Sequence, residues 1–285
     1  MKLKIALFLL STAAFGVSAQ HEGHGGPPTA ERQAAWTDQP LLLPGQTGRG
    51  DRSAAVLQAV GIAADQVEVF GPGGAIKAFP VSAGQARIAT AVAGIGNYHR
   101  VIARQEDGDQ VRVASSVWYF GNPGPSPVAL LQQGTSELEI VPDPLPREHG
   151  SYRESEKWRF IVRFRGQPLA DQTVHLETTG GSHSRFVTNA QGVVTVLFPR
   201  DLDALAGPAA GGHEPTQSGF VLSTESAQEG KHFATAFNYT YGPDADRGRS
   251  LAWGSAFGLA GMISALPLLR RRRAGQAGKA EESSC

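Results

Sequence analysis

An all-β fold of two tandem Ig-like β-sandwich modules is what this sequence predicts, and three observations predict it. Gly 35 and Pro 18 are plentiful, while apolar residues fall in short runs. That mix suits many short strands and tight turns, and suits long helices poorly. Lys157–Phe164, Thr173–Thr178 and Val193–Phe198 largely alternate apolar and polar side chains, as a half-buried antiparallel sheet requires. Turn chemistry separates them: Arg165-Gly166-Gln167-Pro168-Leu169, then Thr188-Asn189-Ala190-Gln191-Gly192. Gly192 can supply the positive φ of a tight reversal.

The ends are addresses, not fold. Residues 1–19 read as a signal peptide: Lys2 and Lys4, an apolar core from Ile5, and Val17-Ser18-Ala19 as cleavage site. Leu251–Leu269 holds no charged residue and runs straight into Arg270-Arg271-Arg272-Arg273. It reads as one transmembrane helix whose arginines stay in the cytoplasm, with Trp253 at the outer interface. Residues 270–285 form a basic cytoplasmic tail. A processed sorting tail is the alternative reading of the same segment. The expected location is the cell inner membrane, single-pass, with the body in the periplasm.

Residues 20–36 form a His/Gly/Pro leader of disordered composition. Residues 37–122 form the first β-module. Within it, Pro40–Pro44 reads as an edge strand or extended entry. Ser53–Ala64 places Val56, Leu57 and Val60 at helical spacing, with Ser53 as cap, and reads as a short helix. Val67–Phe70, Ile76–Val81, Ala86–Val92 and Tyr98–Arg104 read as strands. Asp107-Gly108 turns the chain into Gln110–Phe120, which completes a hairpin. Residues 123–135 form the linker, entered through a Pro/Gly-rich stretch and continued by Val128–Gln133. Residues 136–242 form the second sandwich module, interrupted by a long loop at Asp201–Ser218. Gly219–Thr224 and Lys231–Tyr241 return as strands, the latter with Phe233, Phe237, Tyr239 and Tyr241 on one face. Residues 243–250 link to the membrane helix.

Composition excludes some functions. Lys+Arg 26 balances Asp+Glu 26, which argues against a nucleic-acid partner. The single cysteine, Cys285, permits no intrachain disulfide and no thiolate zinc cluster. No G-x-S-x-G occurs. Gly71-Pro72-Gly73-Gly74 lacks the GK[ST] and helix of a phosphate loop, and reads as a hairpin turn. The chain is read as a non-enzyme.

The second module resembles a known family. Leu138-Glu139-Ile140-Val141-Pro142, Phe164–Ala170 with Val174, Thr188–Gly192 and Phe198-Pro199 are similar to the motifs of the nickel-uptake substrate-specific transmembrane component, a periplasmic family associated with nickel and cobalt uptake. The same turns occur in carboxypeptidase-regulatory-like and other Ig-like modules. The resemblance covers residues 136–200 and implies a metal cargo, nickel or cobalt before others, and a metal permease as partner.

Histidines are the candidate ligands. His21 and His24 flank Glu22 on a flexible backbone and can reach one divalent ion. Cleavage after Ser18 would make His21 the third residue of the mature chain, a square-planar Cu(II) or Ni(II) arrangement. His183 and His213 fall in Gly-rich loops, with Glu214 beside the latter. His175 and His232 lie on strands with their imidazoles toward solvent. Imidazole suits nickel, cobalt, copper or zinc ions, and the sequence leaves that choice open. Two expectations follow. One is a membrane-anchored extracytoplasmic accessory protein that captures a transition-metal ion without turnover. The other is a tethered Ig-like structural or adhesion module that binds a protein or glycan. The oligomeric state is left open.

Overall fold

The computed structural model describes residues 36–45, 54–71, 73–89, 98–119, 126–146, 150–205, 217–245 and 254–265. The expected signal peptide, nearly all of the leader, the linker at 246–250 and the basic tail lie outside the described residues.

The chain is all-β, with its strands in three layers. The outermost layer is built by β1 (Leu41–Pro44), β2 (Ala54–Val60), β5 (Gln85–Ala89) and the last residues of β4 (Ile76–Ser82). β1 pairs β2, β2 pairs β5, and Val81 and Ser82 of β4 pair Ala86 and Gln85. The earlier residues of β4 pair instead with β3 (Gln66–Phe70). One strand therefore carries the sheet around a bend. Ala83 and Gly84, both at positive φ, make the reversal into β5.

From β3 the sheet continues through β6 (Tyr98–Asp107), β7 (Gln110–Tyr119), β16 (Lys231–Gly242), β15 (Ser218–Gln228) and β12 (Thr173–Thr178) to β13 (His183–Val187). This central run crosses the linker predicted at 123–135. β7 and β16 are hydrogen-bonded in parallel, from Gln110 with His232 to Ser115 with Phe237. The third layer is a four-stranded sheet: β8 (Leu138–Pro142), β10 (Lys157–Phe164), β11 (Gln167–Pro168) and β14 (Val193–Leu197). β9 (Tyr152–Arg153) adds a short parallel pair to the end of β16.

The central sheet has a core on each side. Val67, Val69, Val101, Ala103 and Ala114 face the outer layer with Leu42, Leu57 and Ile88. The alternate residues Ile102, Val111, Val113, Phe233, Phe237, Phe220 and Leu222 face the third layer with Ile140, Phe160, Val194 and Phe198. β6, β7, β15 and β16 are consequently buried almost without alternation over their middles, the pattern of a strand covered on both faces.

Two sequence expectations are corrected here. Residues 54–60 form strand β2 and not a helix. Helical spacing of Val56, Leu57 and Val60 is also compatible with a strand, and hydrogen bonds to both β1 and β5 decide the matter. Val128–Gln132 is a short helix, α1, with Leu130 and Leu131 buried, so this part of the predicted linker belongs to the core. α2 spans Leu202–Leu205. A third helix, α3, spans 254–265 inside the predicted membrane segment. Among the described residues, no helix is long and apolar enough to cross a membrane. The predicted strand Ala86–Val92 is described only as far as Ala89, and 90–92 lie outside the described residues.

Candidate binding site

Of the predicted ligands, only His183 falls among the described residues. His21, His24, His213 and Glu214 lie outside the described residues. His183 is not in a loop: it opens β13 and stands opposite Glu177 of β12, while His175 stands opposite Arg185. Opposite residues share a face, so His175, Glu177, His183 and Arg185 all project from the same side of the β12–β13 pair. His175, His183 and Arg185 are exposed there. Among the described residues, no group of three or more His, Cys, Asp and Glu gathers closely enough to hold a metal ion.

A concavity lies where β7 and β16 part. Their parallel ladder ends at Ser115 and Phe237. β7 continues to Tyr119 beside β6, and β16 continues to Gly242 beside β15 and β9. Ser116 bridges the opening, its Oγ donating to the Asn238 carbonyl at 2.8 Å. Beyond that bond, residues 117–119 and 239–240 are not paired with each other. The result is a notch with a cavity of about 380 Å³, within the size range of small-ligand sites.

β1 forms one wall of the notch, and a single side chain fixes it. Asn238 accepts from the Leu42 backbone N–H at 2.8 Å and donates to the Leu42 carbonyl at 2.9 Å. The amide thus behaves as one residue of a neighbouring strand. It satisfies the backbone of β1 where that strand lies against β16.

Aromatic rings supply the other walls: Trp36, Trp118, Tyr119, Phe220 and Tyr239. Packing behind them holds two of the rings in place. Tyr119 lies 5.2 Å from Tyr98, and Tyr239 stacks on Phe237 and meets Tyr152 edge-on. Burial raises the phenol pKa of Tyr239 above its ordinary value, so the ring is neutral at physiological pH. Gln217 and Thr240 complete the lining, and both are exposed. Among the described residues, the lining holds no ionisable group apart from tyrosine.

A second polar cluster is buried, and sequence reading missed it. Glu139 of β8 is 1% exposed. Its Oε1 accepts from Arg163 Nε at 2.7 Å, and its Oε2 accepts from Arg100 Nη2 at 2.9 Å and Thr135 Oγ1 at 2.7 Å. The remaining guanidinium N–H groups of Arg163 donate to the carbonyls of Leu131, Gln132 and Gln133. Arg100 donates to Gln133 as well. These carbonyls end α1, where cations are favourable. Burial acts to raise the Glu139 pKa, but the two guanidiniums and the Thr135 hydroxyl together hold it below the usual carboxylate range. The available signal was a glutamate inside the apolar run Leu138–Pro142, with arginines at inward positions of two other apolar strands. The cluster has its hydrogen bonds satisfied and joins α1, β6, β8 and β10. It is a structural weld.

Compared with known proteins, the chain matches no family and no curated sequence. Among solved structures it is similar to one described as "Structural insight into host cell surface retention of a 1.5-MDa bacterial ice-binding adhesin", at 13% identity and a TM-score of 0.24. The similarity covers 72% of this chain and 65% of that one. At that TM-score the likeness carries no structural or functional inference.

Proposed function

We propose that the chain is a membrane-tethered, extracytoplasmic binding module that works without turnover, its body built from two Ig-like sandwiches fused through a common sheet. One observation carries the tether. In α3, Phe257, Leu259, Met262 and Ile263 are 71%, 56%, 63% and 65% exposed. A helix that buried these side chains in the body would leave them covered. An uncovered apolar helix placed directly before Arg270–Arg273 fits a bilayer-seated segment with a cytoplasmic basic flank. The twelve residues 254–265 rise about 18 Å, and the apolar sequence on either side extends the run toward the ~30 Å of a hydrocarbon core. Alkaline carbonate extraction of membranes tests the tether. The full chain is expected to stay with the lipid, and a chain ending at Ser250 to be released. Release of the full chain would overturn the reading.

Metal capture is the second reading. His175 and His183 favour it: both imidazoles are exposed on one side of the β12–β13 pair, where they offer two surface ligands and, among the described residues, fall short of a three-ligand site. The His21/His24 leader would add ligands for hand-over to a permease. Calorimetric titration of the full chain in nanodiscs with Ni(II), Co(II), Cu(II) and Zn(II) tests it. Affinity near micromolar, about −8 kcal/mol, is expected for at least one ion. It should weaken with His21→Ala/His24→Ala if the leader captures the ion, and with His175→Ala/His183→Ala if the sheet face does. No binding by any of the four removes this reading.

A further inference from the structure

We propose that the body is built to hold under tension: a pull arriving through the tether is taken by β16 in shear, with the end of that strand pinned where the chain leaves the body. The inference rests on the reading of the chain as a tethered binding module and says what that module withstands when its partner is drawn away from the membrane.

The place of β16 in the sheet carries the argument. It is the last strand before the tether, so tension acts along its axis from Gly242. Partners flank it on both sides. β15 pairs it from Gln228 with Lys231 to Ser218 with Tyr241. β7 pairs it from Gln110 with His232 to Ser115 with Phe237, and β9 pairs Tyr241 and Gly242. Backbone bonds between antiparallel strands run across the strand axis, and those between parallel strands are slanted to it. An axial pull therefore strains all of these bonds together, whereas a sideways pull opens them one pair after another.

Side chains block slippage. Phe233, Phe237 and Tyr241 are buried in the core against the third layer, and Ala236 is buried on the opposite face. A slip of one residue would exchange the two faces, so the strand either stays in register or leaves altogether. Two serines of β7 add grip where its ladder ends. Ser115 Oγ donates to the Ala236 carbonyl at 3.1 Å, and Ser116 Oγ to the Asn238 carbonyl at 2.8 Å.

Buried polar groups pin the exit. The Tyr241 hydroxyl donates to Asp201, which sits just before α2. Glu154 follows β9 and is 0% exposed. Its backbone N–H donates to the Gly242 carbonyl at 3.0 Å. Its carboxylate accepts from the backbone N–H groups of Leu202 at 3.0 Å and Asp244 at 3.3 Å. One residue thus joins the end of β16 to β9 and α2. At the other end, the His232 N–H donates to the Asp109 carbonyl at 2.8 Å and Lys231 pairs with Glu106. Those bonds tie the start of β16 to the β6–β7 turn.

The test is single-molecule force spectroscopy on the full chain in detergent micelles. Cys285 is the single native cysteine and gives one handle, on the tether side. Asp109→Cys gives the other, on the exposed β6–β7 turn. This pair pulls β16 along its axis. A second chain, Asp109→Cys/Ala227→Cys/Cys285→Ser, pulls sideways and opens the β7–β16 ladder from its Gln110–His232 end. At equal loading rate the axial unfolding force is expected to be about twofold the lateral force or more, because the axial pull strains the ladders together. Glu154→Gln should lower the axial force and leave the lateral force unchanged, since the pin lies at the far end of the ladder from the lateral handles. An axial force no higher than the lateral one overturns the proposal. So does a Glu154→Gln variant whose axial force is unchanged, or one in which both forces fall alike, the mark of general destabilisation. The tether is read separately, by carbonate extraction. A chain that stays with the lipid yet yields easily along β16 loses only this inference.

Discussion

At the residue scale, Glu139 shows how one polar side chain can organise an apolar junction. Its carboxylate sits between Arg100 and Arg163, which in turn close the end of α1. Replacing it with glutamine leaves two buried guanidiniums without their counter-charge. Glu139→Gln is therefore expected to cost about 3–5 kcal/mol in urea unfolding at pH 7. The pH dependence has a definite sign. The folded pKa of Glu139 is depressed, so its contribution is complete above the unfolded carboxylate value of roughly 4.3. It is lost as pH falls through the lower folded value. Unfolding measured between neutral and acidic pH should show that loss in the native chain and a shallower acid slope in the variant. An unchanged slope would place the acid sensitivity elsewhere. Tyr152 is a contrasting case: its hydroxyl is buried with no hydrogen-bond partner among the described residues, and its ring contributes through contacts with Trp158, Phe160, Phe198 and Phe220.

At the element scale, β1 depends on β16 through Asn238. The strand is four residues long, and its ladder to β2 supplies partners on only one side. Asn238→Ala removes both bonds to Leu42 and leaves two buried backbone groups unsatisfied, at about 1–3 kcal/mol each. The expected readout is local: hydrogen exchange at the Leu42 amide should accelerate strongly, while amides in β10 and β14 stay protected. Equal loss throughout would show that β1 is not a separable element. The strands themselves differed in how legible they were. Lys157–Phe164 and Thr173–Thr178 occur as read, because their alternation matches the burial of one face. β2 was misread because Ala54-Ala55-Val56-Leu57 has no strict alternation and its Ala-rich composition favours a helix. β13 was missed because His183-Ser184-Arg185-Phe186-Val187 is largely polar and, among the described residues, pairs with β12 alone. Of the predicted ligands, only His183 falls among the described residues, and the notch was not legible at all. Trp118 and Tyr119 lie in the strand read at Gln110–Phe120, and the sequence holds no sign of which other strand comes near them.

At the scale of the whole molecule, the parallel pairing of β7 with β16 makes two sequence modules share a sheet. Each core needs the same strands, so neither side can unfold and leave the other intact. Calorimetry of the native chain is expected to show one transition whose calorimetric and van't Hoff enthalpies agree. Two resolved transitions would mean that the shared sheet does not couple the cores. The sequence by itself determined the class of the fold, the positions of most strands and the turns at Gly108, Gly166 and Gly192, which all adopt positive φ. These features are local: side-chain alternation, β-branched runs and glycine conformation act over a few residues. Only the tertiary structure decided that β1 lies against β16, that α1 is part of the core, and that β7 and β16 join and then part to open the notch. Gln110 and His232 are far apart in the chain, and their pairing depends on two cores competing to cover the same sheet. A strand apolar on both faces announces that it is buried, but its own residues do not say which strand comes to lie beside it.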